Sequence, residues 1–257
     1  MNTLIFAAAA AEQPVKITNP NIYSWLLEKF GLANTYEAIY LFAAGVVLCI
    51  IFPYLIGSIN PAIIFSKKVF HDDIRTHGSG NAGTTNTLRT YGKKMAALIL
   101  LLDFLKAVIA VILGSLILSR EVGGAIAGIF VILGHTFPVY YKFKGGKGVL
   151  ATCTGMLILA PIPAAILLVL FIAIVATSKY VSLGSVSAAV LLPVVVNAYF
   201  AVALGGKTPG IITLSTIILA ILIVWCHREN LKRISDRTER KISIGGKKKK
   251  DDGNEEN

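Results

Sequence analysis

Apolar residues run in blocks at about 38–58, 95–119, 122–141, 148–177, 181–203 and 209–227, separated by short polar segments rich in glycine, lysine and arginine. IYLFAAGVVLCIIFPYLIG (39–57) and IITLSTIILAILIVW (211–225) carry no charge. They approach the roughly 20 residues a helix needs to cross a bilayer core of about 30 Å. The blocks are therefore expected to be membrane helices. The fourth is too long for one crossing, since a helix over 148–177 would extend about 45 Å. It also contains Pro161 and Pro163 in LAPIPAA, which disfavour a continuous helix.

Charge placement decides how that block is divided. Lys67, Lys68, Arg75, Arg89, Lys93 and Lys94 follow the first block, Lys142, Lys144 and Lys147 precede the fourth, and a dense basic run follows residue 227. By the positive-inside rule all three segments face the cytoplasm. An even number of crossings must then separate 147 from 228. Splitting the proline-interrupted block into two short crossings supplies it. The expected fold is an all-α integral membrane protein with seven transmembrane helices, the N-terminus outside and the C-terminus cytoplasmic. Residues 1–36 read as an extracytoplasmic extension whose LIFAAAAA is signal-like although no Lys or Arg precedes it. Residues 37–235 form the membrane domain. Residues 236–257, ending GGKKKKDDGNEEN, read as a disordered tail drawn to the membrane surface.

Composition agrees: the 257 residues are 55% hydrophobic, with a mean hydropathy of +0.70. The net charge of +11 invites a nucleic-acid reading. The cations sit between spans, however, with no RNA-binding signature, so lipid headgroups and anionic substrates account for them. Cys49, Cys153 and Cys226 are well separated and lie in or at the ends of apolar blocks, as buried thiols do. No metal-ligand spacing is present.

Three polar segments fall on the expected cytoplasmic side. HGSGNAGTTNTLR (77–89) contains a literal GxGxxG, with Asp103 twenty residues beyond Gly83. A dinucleotide fold would need a strand before it, whereas Asp103 lies in the apolar LILLLDFLK. The same residues suit an anion: Gly78, Gly80 and Gly83 can turn backbone N–H groups into one concavity, with Asn81 between them. Ser79, Thr84, Thr85 and Asn86 add donors, and Arg89 adds a fork matched to phosphate oxygens. GHTFPVYYKFKGGKG (134–148) interleaves Gly145, Gly146 and Gly148 with Lys142, Lys144 and Lys147 at the mouth of the next helix, whose dipole favours anions. His135 precedes them. In HRENLKR (227–233) a continuing helix would put His227 and Asn230 on one face. Glu229, among Arg228, Lys232 and Arg233, reads as a structural ion-pair partner. Asp103 and Lys106 read as a structural pair inside a span, where ionisable groups are costly.

GSGNAGTTNTLR, GHTFPVYYKFKGGKGVLATCTG and HRENLKR, with GSINPA (57–62) before them, resemble the motif set of the bacterial acyl-phosphate:glycerol-3-phosphate acyltransferases, the PlsY family, over about residues 38–235. The resemblance implies a seven-span inner-membrane enzyme with its active site at the cytoplasmic face. It moves a fatty acyl group from acyl-phosphate to the sn-1 hydroxyl of glycerol-3-phosphate, yielding lysophosphatidic acid and phosphate in the first step of phospholipid synthesis. It implies essential roles for Ser79 and Arg89, a glycerol-3-phosphate site at GGKG with Lys147, His227 and Asn230 at the reaction centre, and a supporting Glu229. No cofactor or metal, no CoA or acyl carrier protein and no nucleic acid is expected, and the chain is expected to act as a monomer in the bilayer.

Because an acyl-phosphate is a mixed anhydride, positioning and charge stabilisation can supply most of the acceleration without a covalent intermediate. The proton acceptor stays open among His227, His135 and a substrate phosphate oxygen. The HxxxxD pattern of acyl-CoA-dependent acyltransferases is absent, since the residues five beyond the histidines are Thr76, Ala82, Tyr140 and Lys232. The rival from another class is a transporter of phosphorylated anions, which also uses proline-broken helices but is expected to show an internal repeat.

Overall fold

A bilayer core offers no water to backbone N–H and C=O groups, so long apolar runs fold as helices that satisfy them internally. The computed structural model describes residues 21–33 and 35–242, and the regular elements among these are all helical. They are α1 (Ile22–Phe30), α2 (Tyr36–Ser58), α3 (Pro61–Val69), α4 (Thr84–Ile117), α5 (Val122–Thr136), α6 (Val149–Leu159), α7 (Pro161–Ser178), α8 (Val181–Val202), α9 (Gly210–Cys226) and α10 (Arg228–Ser235). Five helical stretches are long and apolar enough to cross a membrane, and up to six if the bent pair α9–α10 is one span. The signal-like start and the residues of the tail beyond 242 lie outside the described residues.

Of four boundaries that matter here, three differ from expectation and one, the proline break, agrees. First, α4 begins at Thr84, so TTNTLR is helix and only the residues before it are loop. At 34 residues α4 rises about 51 Å, far more than the bilayer core, so its polar first turns stand clear of the apolar part. The two parts meet at Gly92, whose φ of 84° departs from helical geometry.

Second, the proline-rich block breaks where expected, at Ala160 (φ −144°, ψ 74°), with α7 starting on Pro161. However, α6 has 11 residues and rises only about 16 Å, about half a bilayer core. Arg120, in the turn between α4 and α5, reaches down to the Ile158 carbonyl (Nε–O 3.1 Å) and satisfies one acceptor at the end of α6.

Third, the last span does not continue through His227. The sequence changes there from apolar to RENLKR, and α10 turns away from α9 by 53°. Fourth, the folded chain runs past 235: Ile242 N–H donates to the Lys179 carbonyl (2.9 Å), and the Glu239 side chain is buried. The domain edge read from sequence is therefore too early.

At the centre, α5 packs against α2, α4, α6 and α9. Its glycines let backbones touch, as small residues do between membrane helices. A Cβ on Gly134 would run into the Tyr54 carbonyl of α2, and one on Gly57 of α2 into the Val131 carbonyl of α5. At the end that carries the polar motifs the chain breaks between α2 and α3. Asn60 caps α3 by accepting from Ile63 N–H (3.1 Å) and donates to the Ala82 carbonyl (3.2 Å). Arg75, paired with Asp73 at 2.7 Å, donates to the Tyr141 carbonyl at 2.9 Å, which ties the loop before α4 to the loop before α6.

Candidate active site

The C-terminal ends of α5 and α9 and the N-terminal ends of α4, α6 and α8 converge on one cavity of about 380 Å³. From the first segment Ser79, Asn81, Gly83, Thr84, Thr85, Asn86 and Arg89 line it; from the second, His135, Lys147 and Gly148; from the third, His227 and Asn230. The remaining candidates, Asp103 excepted, stand outside its wall. Lys142 is exposed, and Glu229 is exposed beside Arg228, 3.8 Å from its Nε, which makes it a weak surface pair. Gly78, Gly80, Gly145 and Gly146 shape the loops, and Lys106 lies behind the wall, whereas Asp103 reaches it.

The first loop is not an open nest of backbone donors, because four of its N–H groups are already used. Ser79 N–H donates to Asn86 Oδ1 (2.9 Å), Gly80 to His77 O (2.9 Å), Ala82 to Gly145 O (3.4 Å) and Gly83 to Asn81 O (3.1 Å). Gly78 and Gly80 take positive φ (58° and 70°), and a Cβ on Gly78 would strike Asn86. Asn86 is likewise not a free donor: it is buried, and its Nδ2 donates to the carbonyls of Ile74 (3.1 Å) and His77 (2.9 Å). The loop is folded to place a helix start. The first-turn N–H groups of α4, at Thr84 and Thr85, have no intrahelical acceptor, and they line the cavity beside Ser79 and Arg89.

The second loop does the same for α6. Gly145 N–H donates to the Thr136 carbonyl (3.1 Å) and Gly146 N–H to the His135 carbonyl (3.0 Å), which seats the loop on the end of α5. Gly148 then caps α6 with φ 76°. Lys147 projects to Asn230, donating to its Oδ1. Asn230 Nδ2 in turn donates to Ser182 Oγ (2.9 Å) and Glu239 Oε1 (2.7 Å), and Arg233 holds the other oxygen of Glu239 at 2.8 Å. Arg89 donates to the Arg240 carbonyl (3.1 Å). Glu239 stays ionised: burial works against the charge, but the hydrogen bonds from Asn230, Ser182 and Arg233 lower its pKa.

The two histidines differ. His227 Nδ1 is 2.8 Å from the Ile223 carbonyl, which can only accept, so the neutral ring carries its proton there and keeps a lone pair on Nε2. His135 instead turns Nδ1 to Lys106 Nζ (3.0 Å) and Asp103 (3.4 Å). Away from this polar mouth the cavity is walled by apolar side chains, among them Leu150, Met156, Leu167, Phe171 and Leu192. It is therefore a cationic, donor-rich mouth over an apolar trunk.

Ser182 and Glu239 are site residues that the sequence did not single out. Ser182 sits in an otherwise apolar block, and Glu239 was one carboxylate in a mixed-charge tail.

Residues 47–237 match the sequence profile of a family described as glycerol-3-phosphate acyltransferase. The chain belongs to that family. All three motifs lie within the match. Glycerol-3-phosphate acyltransferases of Thermoanaerobacter sp. (strain X514) and Halalkalibacterium halodurans are 43% and 44% identical to it, over 76% and 79% of the chain and 95% and 96% of their own lengths. The crystal structure of PlsY, an integral membrane glycerol 3-phosphate acyltransferase, in its glycerol 3-phosphate form is similar with a TM-score of 0.69 and 31% identity, covering 77% of this chain and 96% of that one. Its lysophosphatidic acid form gives a TM-score of 0.67 at 30% identity, covering 77% and 95%. This member of the glycerol-3-phosphate acyltransferase family is thus a multi-pass membrane acyltransferase of phospholipid biosynthesis.

Proposed function

We propose that the protein transfers a fatty acyl group from acyl-phosphate to the sn-1 hydroxyl of glycerol-3-phosphate, releasing lysophosphatidic acid and inorganic phosphate, without a cofactor and as a monomer. The observation that carries this reading is the cavity itself. Two helix N-termini, each with its own cation, face one mouth above an apolar trunk. Two phosphates and one acyl chain are the guests such a shape suits.

In this reading Ser79, Arg89 and the first-turn N–H groups of α4 hold the donor's phosphate, while Lys147 and the start of α6 hold glycerol-3-phosphate. The acceptor hydroxyl attacks the acyl carbonyl carbon, the bond from that carbon to the bridging oxygen breaks, and phosphate leaves. His227 Nε2 takes the hydroxyl proton; the lone pair left there by the Ile223 contact favours it over His135, whose Nδ1 already faces Lys106. Ser79 Oγ has no histidine hydrogen-bond partner among the described residues, which favours direct transfer over an acyl-serine.

The cytoplasmic face of the inner membrane is the proposed side of the mouth, because the basic loops flank it. The seven-crossing topology belongs to the same proposal, with α6 as the short crossing whose far end Arg120 reaches. Purified protein in liposomes tests the activity: phosphate and lysophosphatidate should appear in equal amounts only when acyl-phosphate and glycerol-3-phosphate are both supplied. Glycerol-3-phosphate uptake without acyl transfer would instead support the transporter reading.

The acceptor end should also be sensitive to alkali. Burial pushes the Lys147 ammonium down to about 8 from its ordinary 10.5, with Glu239 pulling the other way and Arg233 and Arg89 adding to the fall. Between those values the folded protein binds fewer protons than the unfolded chain, so this group adds stability as pH rises through the window. Anion binding has the opposite sign, because it needs the ammonium. KM for glycerol-3-phosphate is expected to rise about tenfold per pH unit above about pH 8, and Lys147→Arg should remove that inflection, as initial rates across pH will show.

A further inference from the structure

Three ionisable side chains are buried together beneath the two loops. Lys106 Nζ lies 2.7 Å from Asp103 Oδ1, one turn back on α4, and 3.0 Å from His135 Nδ1 on α5. Asp103, Lys106 and His135 are 3%, 8% and 6% exposed. Ionisable groups inside an apolar helix bundle are costly to keep, so a function is the first expectation for them. The Lys106 ammonium has further partners that an i,i+3 ion pair does not require. It donates to the Gly57 carbonyl (3.2 Å) and the Ile59 carbonyl (2.8 Å) at the end of α2, where a helix leaves acceptors unfilled and its dipole draws a cation.

From that ammonium one path of contacts runs to each loop. On one side Ile59 leads to Asn60, whose side chain donates to the Ala82 carbonyl in the loop that starts α4. On the other, the His135 ring lies against Gly146, so close that a Cβ there would clash with Nε2, and Gly146 is followed by Lys147. The loops themselves join where Ala82 N–H meets the Gly145 carbonyl at 3.4 Å.

We propose that Lys106, with Asp103 as its counter-ion, is a positioning residue that fixes the separation of the two anion-binding ends, and with it the distance between acyl carbonyl and attacking hydroxyl. The proposal rests on the two-substrate reading above. Lys106 itself touches neither substrate. Its work is to hold the α2 break and His135 in one geometry, so that the loops resting on them keep their register.

A pair that only stabilises the fold can be replaced by an apolar pair at little cost, whereas removing one partner strands a buried charge. The test is therefore Lys106→Met combined with Asp103→Leu, measured in liposomes beside the wild type. The thermal midpoint and both KM values should stay near wild type while kcat falls about 100-fold, the signature of bound substrates held slightly out of line. A kcat within twofold of wild type overturns the proposal. If the apolar pair does not insert, Lys106→Gln with Asp103→Asn keeps polar atoms in place without the ammonium. Its kcat is expected to fall at least tenfold with unchanged KM, and an undiminished kcat there overturns the proposal equally. Failure of the wild type to make lysophosphatidate would count against the functional reading instead, which separates the two.

Discussion

Replacing Lys147 by alanine is expected to lower kcat/KM for glycerol-3-phosphate by about 10²- to 10³-fold, the scale of losing one partner of a buried, hydrogen-bonded charge pair. Of the three lysines in KFKGGKG, only Lys147 lines the cavity; Lys142 and Lys144 are exposed. Its loss removes the cation at the start of α6 and leaves Asn230 Oδ1 without its donor. Glu239 then faces the acceptor's phosphate with less positive charge between them. Lys142→Ala and Lys144→Ala are the controls, and both should stay near wild type. Initial rates at fixed acyl-phosphate and varied glycerol-3-phosphate will show the effect mainly in KM.

Gly146→Ala should be nearly as damaging, although it adds one methyl group and removes no charge. The new Cβ would lie on the His135 ring, and neither side can yield. The ring is held through Nδ1 by Lys106, and the Gly146 backbone is held by its own N–H on the His135 carbonyl at 3.0 Å. The loop must lift, and Lys147 lifts with it. A displacement of about 1 Å at a reaction centre costs about 100-fold in rate, so a drop of that order in kcat/KM is expected. Gly128→Ala is the matched control, because nothing lies within 4 Å of a Cβ there, and its activity should be unchanged.

Much of this site was legible in the sequence because its parts lie in short polar segments between apolar blocks. Ser79, Arg89, Lys147, His227 and Asn230 stood out for that reason, and the structure brings all five to one cavity. The first loop was misread as an open nest because TTNTLR lacks the apolar periodicity that marks a helix. Its glycines also advertise backbone donors without saying where those donors are spent. Asn86 looks like a ligand-facing amide in sequence, yet its partners are its own loop, a tertiary fact that no local pattern carries. Ser182 and Glu239 were missed for the opposite reason: nothing near them is unusual, and only the turn of α10 away from α9 brings the chain beyond 235 back to α8. The break at Ala160 was legible because proline both removes a donor and starts a helix well. The shortness of α6 follows from that break, because the block starts at 148 and its first part ends at Ala160.

The central claim is that the acceptor hydroxyl attacks the acyl carbonyl of an acyl-phosphate held in the same cavity. Acyl-phosphate carrying oxygen-18 only in the bridge between carbon and phosphorus, supplied with glycerol-3-phosphate to the protein in liposomes, reads directly which bond breaks. The account predicts that all of the label leaves in inorganic phosphate, formed one for one with unlabelled lysophosphatidate. Label retained in free fatty acid, or phosphate released at the same rate without glycerol-3-phosphate, would contradict it.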